Sequence, residues 1–139
     1  MIDLIKKDDD NKISIISAQQ SGLDLPLPFE REIFLFDTHV AGTTHIENIK
    51  SLEAGLKIGD QVNFFREPTN PHDPQAIRIE TGGYQKIGYV PRTDNVVFSR
   101  LMDAGKNLYG KIVSKEWQDQ WLKIEIKIYL KEIGWIWYN

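Results

Sequence analysis

The chain has 139 residues, 41% of them hydrophobic and 27% charged, which suits one compact domain with a short extension and excludes a disordered polymer. It contains no cysteine, so disulfides, thiolate metal sites and cysteine nucleophiles are excluded, and no apolar run approaches the roughly 18 residues a transmembrane helix needs. The net charge of −3 argues against wholesale coating of nucleic acid, which requires many cations to neutralise phosphates.

Residues 1–31 read as an N-terminal extension. The opening MIDLIKKDDDNK lacks the basic start, apolar run and cleavage site of a secretory signal, so a cytoplasmic location is expected. The first 30 residues set three lysines against six carboxylates, a local charge of −3. Ile13, Ile15 and Ile16 mark at most one strand, near 12–17, and Leu25-Pro26-Leu27-Pro28 should break any regular element.

A regular pattern is expected from Ile33. The run to Val40 is apolar and aromatic on both faces, as in a buried strand, and Gly42 ends it. A short helix is expected over Glu47–Ala54, where Ile49 and Leu52 share a face. Gly59-Asp60 is a turn dipeptide, and the run through Phe65 follows it as a strand. Pro68, Asn70, Pro71, Asp73 and Pro74 predict a rigid loop, because proline fixes φ and Asn or Asp bonds back to the local backbone. Ala76–Ile79 and Ile87–Val90 are strands on either side of the Gly82-Gly83 turn. A second helix should open after Pro91, capped by Thr93 or Asp94, with Val97 and Leu101 at i, i+4 and Gly105 at its end.

Leu108–Val113 is the next strand, and the last is the clearest of all. Leu122, Ile124, Ile126, Ile128 and Leu130 alternate strictly with Lys123, Glu125, Lys127 and Tyr129, so one face is core and the other wet. Residues 132–139 form a Trp-rich C-terminal tail. About six strands and two short helices without a βαβ rhythm predict a mainly β fold: a small antiparallel six-stranded OB-like or SH3-like barrel over residues 32–131. Residues 86–115 carry six cations against two carboxylates, so a locally basic surface is expected, with a solvated face of mixed charge as the alternative.

Three stretches are the most distinctive: FDTHVAGT (36–43), FFREPTNPHDPQAIRIE (64–80) and KIGYVPRTDN (86–95). In order and spacing they resemble the HIRAN domain family, over roughly residues 32–130. The resemblance implies an oligonucleotide-binding-like barrel that captures the 3′-hydroxyl end of single-stranded DNA in repair or replication. Under it, Asp73 matches the aspartate that accepts a hydrogen bond from the terminal hydroxyl, and a carboxylate, being an acceptor only, would repel a phosphate there. Asn70 shares that pocket, and His72 stands where an aromatic tyrosine is usual. Thr44 and His45 fall where an arginine and a tyrosine occur, Arg92 would pair with phosphate, Tyr89 would line the groove, and Trp121 would stack on a base.

The same residues have simpler accounts. Pro68, Asn70, Pro71 and Asp73 also spell a stiff Asx-capped turn; Tyr89 and Trp121 also suit barrel-rim packing; Arg92 also suits a solvated helix start. His39, His45, His72 and Asp73 have no metal-ligand spacing, so no metal is expected. No Gly-x-Ser-x-Gly elbow or Gly-x-x-x-x-Gly-Lys-Ser/Thr loop is present, so a non-catalytic module without cofactors is expected. The rival from another class is a protein-interaction module on the same barrel. The acidic balance, Thr44 in place of arginine and the apolar tail Trp135, Ile136, Trp137 and Tyr138 favour it, through a protein partner or a homodimer; no membrane partner is expected.

Overall fold

A computed structural model describes residues 6–7, 13–14 and 26–137, with side chains over 29–134. Two compact units are distinguished: Glu32–Lys131, and Met1–Arg31 together with Glu132–Asn139. In the latter, Lys6–Lys7 (β1) pairs antiparallel with Ile13–Ser14 (β2), the strand expected near 12–17. Arg31 meets Glu132 at 3.5 Å, and the Phe29 ring occupies the space that a side chain at Gly134 would need.

One antiparallel sheet of six strands dominates, in the order β3 (Pro26–His39), β8 (Trp121–Trp137), β7 (Asn107–Gln118), β4 (Gln61–Arg66), β5 (Ile77–Thr81) and β6 (Lys86–Tyr89). A 3-10 turn at Thr43–His45 and helix α1 (Ile49–Gly55) link β3 to β4, and helix α2 (Arg92–Asp103) links β6 to β7. The fold is mainly β with two helices, as the alternating pattern predicts. Along β8, Leu122, Ile124, Ile126 and Ile128 are at most 1% exposed, while the intervening residues are only partly covered. Ile77, Ile79, Ile87 and Ile112 join them from the neighbouring strands, and Leu52 and Phe98 from the helices, with Leu56 just past α1, close the core. This contiguous burial is the main stabilising term.

The sheet curls until its two outer strands approach each other. Just past β3, Ala41 forms a single antiparallel bridge with Tyr89 of β6: the Ala41 amide donates to Tyr89 O at 2.7 Å and the Tyr89 amide to Ala41 O at 2.9 Å. The expected barrel is therefore an incompletely closed one, with a seam of one bridge. Gly88 makes that seam achievable, since a Cβ there would fall 2.3 Å from Ala41 O and 2.6 Å from Val40 Cγ1.

Several boundaries differ from the expected ones. β3 starts at Pro26, not Ile33: it is the end strand of the sheet, where a proline's missing N–H need not break a ladder. β7 continues to Gln118 because a bulge between Ile112 and Ser114 shifts the period that marks a strand. β8 continues through Trp137, well past Leu130. Neither Thr93 nor Asp94 caps α2; the cap position is Pro91, and the Asp94 carboxylate instead accepts the Thr38 hydroxyl at 2.7 Å. Among the described residues no helix is long and apolar enough to cross a membrane. Tyr138, and the side chains of Trp135–Trp137, on which the expected tail interface depends, lie outside the described residues.

Candidate functional site

The loop between β4 and β5 lies beside the seam. Asn70 organises it through its side chain: Oδ1 accepts the amides of His72 (2.9 Å) and Asp73 (3.1 Å), and Nδ2 donates to Glu67 Oε1 at 2.9 Å. This is the Asx turn that the proline-rich spacing predicts. Its product is the placement of Asp73. One carboxylate oxygen accepts the Gln75 amide at 2.8 Å, and the other accepts the Asn95 side-chain amide from α2 at 2.8 Å. The Arg92 Nε lies 3.7 Å from the same carboxylate, and its terminal nitrogen donates to His72 O at 2.5 Å. Burial pushes the Asp73 carboxyl up, but the Gln75 and Asn95 donors and the charges of Arg92 and Arg66 hold it below its ordinary value.

A second network fixes the wall made by β6. The Tyr89 hydroxyl donates to Glu67 Oε1 at 2.9 Å and accepts from Lys86 Nζ at 3.0 Å, while Lys86 Nζ also lies 4.4 Å from the Tyr89 ring centroid. Glu67 Oε2 accepts from Arg78 at 2.8 Å. Burial raises the Glu67 carboxyl, yet its bonds from Asn70, Arg78 and Tyr89 leave it below the usual range. Every polar group here is tied to another, which makes the wall stiff.

Between loop, seam and α2 lies an open cavity of about 480 Å³. Asn70, His72, Asp73, Tyr89 and Arg92 all line it, so five of the eight expected site residues come together. The other three do not. His45 lines a separate hollow of about 390 Å³ that shares only Lys86 with the first, and Thr44 is exposed beside it on the 3-10 turn. Trp121 is half-buried at the β7–β8 turn; the Thr43 hydroxyl, donating to Leu122 O at 2.7 Å, ties the 3-10 turn to its neighbour.

Lys86 and Asn95 line the cavity but were not singled out by the motifs. Asn95 carried a signal: with Phe98 and Met102 it shares the inward stripe of α2, where a polar side chain demands a partner. The basic surface expected over 86–115 does not gather in one place. Lys111 pairs with Glu32 at 2.7 Å and Lys115 with Glu53 at 3.1 Å, away from the cavity, whose lining includes the cations Lys86 and Arg92. Cations close in sequence alternate between faces of strands and helices, and so disperse. Among the described residues no cluster of three or more His, Asp or Glu side chains could hold a metal ion.

A family model for the HIRAN domain matches residues 33–132. A crystal structure of a protein from Lactobacillus plantarum is similar at a TM-score of 0.70 and 29% identity, covering 75% of this chain and 99% of that one. The HIRAN domain of human HLTF is similar in fold, with a TM-score of 0.57 at 14% identity, covering 72% and 78%. A Fanconi-associated nuclease 1 homolog from Oryza sativa subsp. japonica is 36% identical over 70 residues; these make up 48% of this chain but only 7% of that much longer protein. The family match takes in well over half of the sequence and all three of its distinctive stretches, and the chain belongs to the HIRAN domain family.

Proposed function

We propose that this chain is a non-catalytic module that binds single-stranded DNA by its 3′-hydroxyl end, in a repair or replication setting. Residues 32–131 form the reader, and 1–31 and 132–139 are its appendages. The observation that carries the reading is the state of Asp73: a partly buried carboxylate at the cavity, each oxygen already accepting one N–H, with lone pairs left for one further donor. A terminal hydroxyl is such a donor, and a terminal phosphate is not.

The surroundings suit one nucleotide. The cavity is within the ~300–1,000 Å³ range of small-ligand pockets, too small for a duplex. Arg92, 69% exposed, and Lys86 supply two cations for backbone phosphates next to the end. His72, exposed on the loop, offers a ring for stacking, whereas a base reaching the Tyr89 ring would have to displace Lys86. Thr44, His45 and Trp121, outside the cavity, would meet nucleotides further from the end. The lack of catalysis is supported by the carboxylates themselves, which hold structural N–H and O–H donors rather than a nucleophile. The name of the rice relative supports a DNA setting.

Fluorescence anisotropy with 3′-hydroxyl and 3′-phosphate oligonucleotides tests the reading. The parent chain should prefer the hydroxyl, and Asp73→Ala should abolish that preference, by about tenfold for a hydrogen bond to a charged group worth ~1.5 kcal/mol or more. Equal binding of both ends by the parent rejects it. The rival reading, a protein-interaction module, draws support from Phe34, Phe36 and Val97, which are 48%, 41% and 61% exposed. Light scattering on the free chain decides that alternative: a dimer mass favours it.

A further inference from the structure

Three residues of α2 at positions i, i+3 and i+7 face the β4–β5 loop and hold it at successive points. Arg92 donates to His72 O, Asn95 Nδ2 to Asp73 Oδ2 at 2.8 Å, and the Ser99 hydroxyl to Gln75 Oε1 at 2.6 Å. Arg92 is solvent-exposed, but Asn95 and Ser99 are 2% and 0% exposed, although most of the buried set around them is hydrophobic. Buried polar side chains in such surroundings need a partner, and both find theirs on the loop.

We infer that Asn95 is the positioning residue that makes Asp73 selective for an unmodified hydroxyl end. The inference rests on the end-reading proposed above and adds to it the group that enforces it. Selectivity by a carboxylate requires that it stay an acceptor. Were Asp73 protonated, its O–H would donate to a phosphate oxygen, and the two ends would no longer be told apart. An N–H aimed at Oδ2 from a buried amide can be satisfied only by the ionised oxygen or by a carbonyl, so it favours the acceptor form and fixes its direction. Asp73 Oδ1 is held in the same sense by the Gln75 amide, whose residue Ser99 in turn anchors.

The charged and titratable groups facing Asp73 are Arg92 from α2, Arg66 from β4, and His72 and Lys86 around the cavity. Arg92 is 69% exposed and stands 3.7 Å away, so solvent and salt weaken its hold. Arg66 is engaged by Asp103 at 2.9 Å and by the carbonyls of Pro74 and Ala76. Beside these charges, two neutral N–H donors touch the carboxylate directly: the Gln75 amide at Oδ1 and, at Oδ2, the buried side-chain amide of Asn95.

The test uses the full chain, with the Asp73 carboxyl titrated by carbon NMR and end preference read by anisotropy with the same two oligonucleotides. Asn95→Ala should raise the Asp73 titration and cut the hydroxyl-over-phosphate preference at least about fivefold. Asn95→Leu, with the same branching but neither an N–H nor a charge, should do the same, and it decides the matter if the alanine variant does not fold. Val97→Ala, on the same helix but 61% exposed and away from the loop, should leave the preference within about twofold. If both folded Asn95 variants titrate and discriminate like the parent, the inference is overturned. A parent chain with no end preference removes the end-reading and the selectivity role together. A raised Asp73 titration in the variants then still separates that failure from a failure of the contact itself.

Discussion

In β8, five apolar side chains from Leu122 to Leu130 are all at most 9% exposed, and burial decides where the strand lies. In the Glu67–Ala76 loop, only Ala76 is buried, and the path is set by directed bonds from Asn70, Asp73, Asn95 and Ser99. Burial is non-directional: it stabilises strongly but leaves atoms free to shift by small amounts. Hydrogen bonds add less net stability yet fix angles and distances, which a recognition pocket needs. The molecule therefore separates the two tasks, with a β-sheet core for stability and a bonded loop for placement.

The largest break in that comparison comes from the core. Ile126→Ala, at a fully buried position, should cost about 2–5 kcal/mol in a denaturant or thermal melt, while the fraction that remains folded keeps its end preference. Loss of preference in the folded fraction would show that the core does position the loop.

Gly88→Ala tests the seam between the two regions. Its Cβ would meet Ala41 O, so about 1–3 kcal/mol of stability should be lost by the same melt, and here affinity should fall too because Ala41 and Tyr89 both border the cavity.

Arg92→Ala sharpens the comparison from the loop side. Stability should barely change for so exposed a side chain. Affinity for both oligonucleotides should weaken alike, and the slope of log K against log salt should become shallower by about 0.7, the value for one single-strand phosphate contact.

The smallest effect is the pH dependence of stability. The folded carboxyls of Asp73 and Glu67 lie below their ordinary values, so the unfolded chain binds more protons between the two. The stabilisation is fully present above the unfolded values, about 4, and is lost as pH falls through the lower folded ones. Urea unfolding between pH 6 and 3 should show a decline that Glu67→Gln reduces, while the core contribution stays level.

The two regions were not equally legible in advance. β8 can be read from its period-2 pattern, because each residue reports its own face. The β4–β5 turn can be read from Pro68 to Pro74, because an asparagine bonds to amides two and three residues on. The bulge near Val113 and the prolines that open β3 hid the true strand lengths, since neither obeys a simple period.

From the sequence alone came the mainly β class, the alternating core strand, the stiff turn and the membership suggested by three ordered motifs. Each depends on interactions within a few residues, or on a pattern that repeats along the chain. Only the tertiary structure decided that Asp73 meets Asn95, 22 positions away, that Lys86 enters the cavity while Lys111 and Lys115 leave it, and that Thr44, His45 and Trp121 stand outside it. Those outcomes follow from strand register and from the curl that brings Ala41 to Tyr89. Both emerge when the whole sheet buries its core, so no local stretch of sequence carries them.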